Sequence, residues 1–307
     1  MQTRRLGTSG IEVSRLSLGS WRTFERIPRE DGVAVMRAAR KAGINFLDDA
    51  RYDDETGTAP IPTGYSEILF GELFRESGWT RDEVVLCNKL WWEFWPDQSA
   101  AEELDGSLGR MRFDYIDVIY ANPPPDGLPI PDMVQAVGEL ISSGKARAWA
   151  IVNWEAGPLL EVARAAGELG VQQPIGAQLP YSLIGRDWVE SAEMGEALEA
   201  TGASVVASFS LMGGVLTGKY DEGASGRESH RIEDPGLARA LELGRRVRAL
   251  AAEAGESPAA LAIAFALSNP AVATVLFGAT KPAQIEDNLS ALNVDPEVVE
   301  RVSAIGR

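Results

Sequence analysis

Along the chain, short runs of apolar residues alternate with longer stretches in which apolar positions recur every three or four residues. The short runs read as strands over 15–19, 45–48, 83–88, 115–121, 146–152, 175–178, 204–207 and 274–277. Between them the longer period predicts helices over 31–42, 66–77, 100–111, 132–143, 156–169, 190–201 and 237–254. In the first of these, Val35, Met36, Ala39 and Ala42 share one face, and Gly43 stands where a helix cap belongs. A run of strand character over 7–13, around Thr8-Ser9-Gly10, reads as a β-hairpin ahead of the main pattern. Eight strands alternating with helices in 307 residues point to a parallel β/α barrel. The rival, a doubly wound open sheet, would want a glycine-rich fingerprint after its first strand, and Leu18-Gly19-Ser20-Trp21 carries no GxGxxG. No linker and no break in composition interrupts the pattern, so residues 1–307 read as one domain. The longest connection, 211–235, has the length of a lid or binding loop.

The uncharged stretch 257–280 is long enough to raise the question of a membrane span. Asn269-Pro270 interrupts it, leaving a helix over 258–267 and a strand over 273–277, each shorter than the ~20 residues a spanning helix needs. The polar opening Met1-Gln2-Thr3-Arg4-Arg5 has no apolar run behind it, so no secretory signal is expected. With 29 basic and 45 acidic side chains the formal charge is −16, which argues against a nucleic-acid backbone or an anionic membrane as partner. A single cysteine, Cys87, rules out an intrachain disulfide and fits a reducing, cytoplasmic setting. A single histidine, His230, removes the multi-histidine metal sites, so no metal is expected. Chemistry must then run on Asp, Glu, Tyr, Lys, Ser, Asn or a bound cofactor.

In a parallel barrel the site lies at the C-terminal ends of the strands. Asp48-Asp49 stand at the second strand end with Tyr52 just beyond, and Asn88-Lys89 at the third. Asn122 follows the fourth strand, Asn153 the fifth, Gln178 the sixth, Ser208-Phe209-Ser210 the seventh and Gly278-Ala279-Thr280 the eighth. An Asp, a Tyr and a Lys on neighbouring strand ends make chemical sense together. The ammonium favours the phenolate and should lower the tyrosine pKa from ~10, the carboxylate keeps the buried cation charged, and the tuned phenol can hand a proton to a carbonyl oxygen. The plainer alternative is that Lys89 reaches out to water from a strand end. Because strand side chains alternate, one of Asp48 and Asp49 must face outward, and that one is expected to be merely solvated.

Seven segments in register, together spanning nearly the whole chain, resemble the aldo-keto reductases: GINFLDD (43–49), VVLCNK (84–89), DYIDVIYAN (114–122), GKARAWAIVN (144–153), QLPYS (178–182), LTGKY (216–220) and FGATKPAQIEDN (277–288). The Ala121-Asn122 pair and Trp149 look most like the branch with potassium-channel beta subunits and related bacterial reductases. The resemblance implies a (β/α)8 TIM barrel with an N-terminal β-hairpin that reduces a small-molecule carbonyl compound with NAD(P)H. It implies that Asp48 and Lys89 are the catalytic Asp and Lys, and that Asn153 and Gln178 hold the nicotinamide carboxamide. It places the phosphate loop over 210–219, including Ser210, Leu211, Gly213 and Lys219. The adenosine end falls to Gly278, Ala279, Thr280, Gln284, Asp287 and Asn288, and the nicotinamide ribose to Gly19, Ser20 and Trp21. The chain departs from the family in several places. The family's acid Tyr stands five residues after its Asp, where position 53 is Asp; Tyr52 is the chosen acid and Tyr65 its competitor. The usual catalytic His is Asn122, which can donate a hydrogen bond but cannot titrate near ~6.5. Gln284 stands where many members carry an Arg on the 2′-phosphate; Lys281 can stand in, so NADPH is favoured and NADH left open. The aromatic that stacks on nicotinamide aligns with Ser208, with Phe209 beside it.

Other features invite two readings each. Trp91, Trp92, Phe94 and Trp95 wall a pocket or pack beneath a loop. His230, beside Arg227, Glu228 and Arg231, reads as solvated rather than ligand-binding, and Cys87 as buried packing rather than a nucleophile. The acids over 53–55 and Glu93 could bind a cationic substrate or belong to a generally acidic surface. A regulatory, redox-sensing nucleotide-binding subunit is the alternative to a working reductase, motivated by Asn122 and the displaced Tyr. A carboxylate glycosidase built on Asp48 and Glu93 ranks a distant third.

Overall fold

The computed structural model describes residues 1–223, 226 and 228–306. Strands β1 (Thr3–Arg5) and β2 (Glu12–Ser14) form an antiparallel hairpin. The chain continues through β3 (Leu16–Gly19), α1 (Arg29–Lys41), β4 (Phe46–Asp48), α2 (Tyr65–Glu76), β5 (Val85–Leu90) and α3 (Ala100–Met111). It then forms β6 (Ile116–Ala121), α4 (Ile130–Ser142), β7 (Ala146–Val152), α5 (Ala156–Leu169) and β8 (Gly176–Pro180). Helices α6 (Asp187–Glu190) and α7 (Ala192–Thr201) lead to β9 (Ser204–Ser208), followed by α8 (Ala238–Ala254), α9 (Pro258–Ser268), β10 (Val272–Phe277), α10 (Pro282–Leu289) and α11 (Pro296–Ile305). Strands β3 to β10 close in the order β10-β3-β4-β5-β6-β7-β8-β9, with every pairing parallel. This is the eight-stranded β/α barrel that the alternation predicts.

Strand alternation sorts the side chains into two cores. Phe46, Cys87, Tyr120, Ala148, Ala150 and Val206 fill the barrel, and Leu6 and Val13 of the hairpin join them. Leu47, Leu86, Ile119, Trp149 and Ile151 meet the helices in the outer core. The first hairpin strand precedes the 7–13 run, the second overlaps its end at Glu12 and Val13, and residues 6–11 make the turn. Gly7 there has φ +57°, and a Cβ on it would lie 2.2 Å from the Ile175 carbonyl oxygen, so glycine lets the hairpin seat against the barrel.

Helix α3 starts at a Ser99 cap that accepts from the Glu102 amide, and α9 starts at Ser257 with Pro258 at its first position. Apolar on every side, α9 has nine buried residues, as a helix enclosed by its own protein should. No single helix among the described residues is long and apolar enough to cross a membrane. The 211–235 connection holds short 3₁₀ turns at Met212–Thr217, Lys219–Glu222 and Ser229–Arg231. His230 is exposed there, while Arg231 pairs with Glu228 and Asp234; Arg227 lies outside the described residues.

One expectation fails on the outer face of β4. Asp49 points away from the barrel axis, yet it is fully buried rather than solvated, with Ser20 and Glu67 of α2 beside it. Its Oδ1 accepts the Ser20 hydroxyl, while Oδ2 has no hydrogen-bond partner. Nearby, buried Glu67 accepts from Asn88 Nδ2 at 2.8 Å and from Arg110 Nε at 2.5 Å. Burial, then the Glu67 carboxylate, hold the Asp49 carboxyl well above the usual range. The folded chain therefore keeps a proton here that the unfolded chain releases above about pH 4, so Asp49 costs stability progressively as pH rises from there toward its folded pKa. Asp49→Asn keeps an acceptor for Ser20 and removes that ionisation. Melting curves between about pH 4 and pH 8 should show the variant gaining Tm over the parent as pH rises, with little difference at the acid end. A Tm difference independent of pH would show that ionisation of Asp49 is not the cause.

Candidate active site

The C-terminal ends of β4, β5 and β8 bring together groups far apart in sequence. Asp48, the last residue of β4, and Lys89, in β5, both point into the barrel, and each is at most 5% exposed. Lys89 Nζ donates to Asp48 Oδ1 at 2.5 Å and to Tyr52 Oη at 3.0 Å. Gln178 Nε2 donates to the other Asp48 oxygen at 2.9 Å. Strand β5 runs on to Leu90, so Lys89 sits inside the strand, paired with Tyr120 of β6, and does not reach outward.

Tyr52 owes its place to a short turn. Ser66, in the first turn of α2, donates its hydroxyl to the Ala50 carbonyl at 2.7 Å and accepts the Tyr52 amide at 3.3 Å. The Tyr52 carbonyl in turn receives the Gly64 amide at 2.9 Å. Residues 53–63 therefore leave and return beside Tyr52 as a separate loop, closed by a bridge between Asp53 and Thr63 and knotted by the Asp54 carboxylate, which accepts from Thr56 and Ala59. Tyr65 opens α2 and packs against the outer core instead.

The charge balance differs from the simple expectation in one respect. Burial outweighs the Lys89 ammonium and, with the Asp48 charge, pushes the Tyr52 phenol up rather than down. Burial alone would lower the Lys89 ammonium, but Asp48 and the Tyr52 contact overcome it and raise it. The trio at neutral pH is thus a neutral phenol, a cation and its counter-carboxylate. The Cys87 thiol, sealed in the barrel, is pushed up by burial and then by Asp48, which suits a packing role.

Above Tyr52 opens a cleft of about 460 Å³. Trp91 meets the Tyr52 ring edge-on at 6.0 Å between centroids, and Trp21 forms another part of the wall. Both readings of the aromatic cluster hold in part: Trp91 lines the cleft and Phe94 is 50% exposed, whereas Trp92 is buried and Trp95 packs on the outer core. Two buried charges organise these loops without any signal in the sequence. Glu103 accepts the amides of Trp91 and Trp92 at 2.8 and 3.2 Å, and Arg51 reaches Glu93 at 2.5 Å and Thr63 at 3.2 Å. Asn122 is half-buried; its Nδ2 donates to the Leu90 carbonyl and its own carbonyl accepts Trp92 Nε1, both at 3.0 Å.

A second set of residues follows β9 and β10. Ser208 is buried at the end of β9, and Phe209, at φ +55° and 46% exposed, lies 5.3 Å from the Trp21 ring. Ser210 is buried and its Oγ has no hydrogen-bond partner. After Leu211, which packs on the outer core, Gly213 and Gly214 both take positive φ, and a Cβ on Gly214 would lie 2.6 Å from Lys219 Cε. An orphaned hydroxyl, a glycine turn and a lysine make a cradle whose donors fit a phosphate. Gly278 and Thr280 flank buried Ala279 ahead of α10, which carries exposed Asp287 and buried Asn288. Gln284 is folded back, its Oε1 accepting the amides of Thr280 and Lys281 at 2.7 and 3.2 Å. Gly19 and Ser20 end β3 beside Asp48, and Asn153, exposed with φ +58°, ends β7. Together these residues line the same barrel end as Lys89 and Tyr52.

The Aldo/keto reductase family profile matches residues 15–307. A protein named "Probable voltage-gated potassium channel subunit beta" from Oryza sativa subsp. japonica is 35% identical over 325 aligned positions, covering 99% of this chain and 96% of that one. One of the same name from Arabidopsis thaliana is 34% identical over 312 positions, covering 96% and 92%. The chain belongs to the aldo/keto reductase family.

Proposed function

We propose that this chain reduces an aldehyde or ketone to an alcohol, with Tyr52 as the proton donor and NADPH as the preferred reductant. The observation that carries the proposal is the Lys89 ammonium, buried and bonded at once to Asp48 and to Tyr52 Oη. When bound, the dihydronicotinamide supplies the hydride for the carbonyl carbon. Tyr52 holds the proton at Oη and gives it to the carbonyl oxygen as negative charge develops there. The tyrosinate left behind is stabilised by Lys89 at hydrogen-bond distance. Asp48 keeps Lys89 charged and is itself held by Gln178. Asn122 has one amide N–H beyond the bond to Leu90 and takes the carbonyl-orienting place of a histidine. Ser210, Gly213, Gly214 and Lys219 hold phosphate, and Phe209 with Trp21 offers the ring face near the nicotinamide. Asn153 and the Gln178 side-chain amide serve the carboxamide, and residues 278–288 the adenosine end. The relatives' channel-subunit names favour a second reading, a nucleotide-binding regulatory subunit with vestigial turnover.

Titrating the protein with NADPH and NADH, followed by tryptophan fluorescence through Trp21, should give saturable binding that is tighter for NADPH. Binding of neither would remove the reductase reading. With a panel of aldehydes, Tyr52→Phe should lower kcat by a factor of about 10²–10⁴ while NADPH affinity holds, and Tyr65→Phe should stay active. A dead Tyr65→Phe with an active Tyr52→Phe would transfer the acid to Tyr65. Tight NADPH binding without turnover of any panel member would favour the regulatory reading. Because burial lifts the Tyr52 phenol above its ordinary value, the donor stays protonated through the neutral range. The kcat for reduction should therefore stay level between about pH 6 and pH 9, with no step near ~6.5, and alcohol oxidation should climb with pH.

A further inference from the structure

The cleft over Tyr52 has a charge arrangement that bears on what can enter it. Each guanidinium at its rim already faces a carboxylate. Arg22 bonds Glu55 while lying 5.0 Å over the Trp21 ring. Arg26 reaches Glu55 at 3.0 Å and Glu25 at 3.3 Å. Arg51, its side chain only 7% exposed, reaches Glu93 at 2.5 Å. Below them Lys89 is taken by Asp48 and Tyr52. Asp53, the residue after the proton donor, lines the cleft and is exposed, and among the described residues its carboxylate has no ion-pair partner. The walls that remain for a substrate are the rings of Trp21 and Trp91. The molecule around the cleft carries a formal charge of −16, which repels anions at longer range.

We propose that this cleft selects aromatic or apolar carbonyl compounds that carry no negative charge, favours those with a cationic substituent, and uses Asp53 as the discriminating residue. The inference rests on the reductase reading above. An anionic substituent would meet no unpaired cation among the described residues lining the cleft and would sit near an uncompensated carboxylate. A cationic one could pair with Asp53 and rest on the Trp91 indole, the Trp21 ring already carrying Arg22. The paired arginines would have to give up Glu55 or Glu93 to serve an acid substrate, leaving a carboxylate unpaired.

The test uses the intact protein with NADPH and three aldehydes of matched shape: (4-formylphenyl)acetate, its neutral amide, and 4-(trimethylammoniomethyl)benzaldehyde. A methylene separates each charge from the ring and limits its effect on carbonyl reactivity. kcat/KM should be highest for the cation and lowest for the acetate, with the acetate roughly tenfold below the amide at low salt. Raising the salt to about 0.5 M should narrow that gap. Asp53→Asn should also narrow it, read as the acetate-to-amide ratio within the variant. An acetate turned over as well as the amide, or better, overturns the selectivity and leaves reduction standing. A gap that survives Asp53→Asn unchanged overturns the assignment to Asp53. No turnover of any of the three, despite bound NADPH, overturns the reductase reading and this inference with it.

Discussion

A lysine sealed at the end of a barrel cannot stay charged without a counter-ion. Moving an ammonium out of water costs several kcal/mol after relaxation, and only close carboxylate contact and complete hydrogen bonding offset it. Here Asp48 supplies the charge and Tyr52 the second acceptor, while Gln178 occupies the carboxylate's other oxygen. The four groups come from three barrel strands and one connection, 130 positions apart at the extremes. Only closure of the sheet brings them together, so the pair depends on the fold as much as the chemistry depends on the pair. The same burial leaves Tyr52 a phenol, the form that can give a proton away.

A second ring of polar contacts lies outside the barrel and holds that arrangement still. Asp49 fastens Ser20 at the end of β3, Glu67 ties Asn88 to Arg110, and Asp117 joins Arg81, Arg147 and the Leu86 amide. Each of these carboxyls is fully buried. Asp117 sits in β6, Asp49 just past the end of β4 and Glu67 in the first turn of α2, where an apolar side chain would pack without fixing any orientation. Glu103 does the same for the loop after β5, reading two amides from the first turn of α3.

The barrel was legible because its signals are local. Apolar strands and helical periodicity repeat through the chain, and the Asp and Lys at neighbouring strand ends follow directly from that layout. Errors arose where the deciding contact is distant. The alternation of β4 turns one of Asp48 and Asp49 outward, but nothing nearby in sequence says that the outward one, Asp49, will be buried. The tuning of Tyr52 came out with the wrong sign because proximity to Lys89 is readable and the depth of burial is not. Helices α10 and α11 were absent from the predicted set: at eight and ten residues, they offer too few turns for periodicity to stand out. The hairpin turns at Thr8, Ser9 and Gly10 as the sequence suggests, but its first strand, Thr3–Arg5, lies ahead of the 7–13 run. Arg51 and Glu103, which shape the cleft, look in sequence like any surface charge.

The loop over residues 53–63 begins and ends at one point, its feet joined by the Asp53–Thr63 bridge, and the tyrosine turn is clamped separately by Ser66. Lengthening such an excursion adds little closure entropy, since each doubling costs only about 0.6 kcal/mol. The lineage can therefore rebuild this segment wholesale, changing which molecules reach the phenol, without disturbing the atoms that transfer the proton. Recognition and chemistry are free to evolve at different rates in this protein.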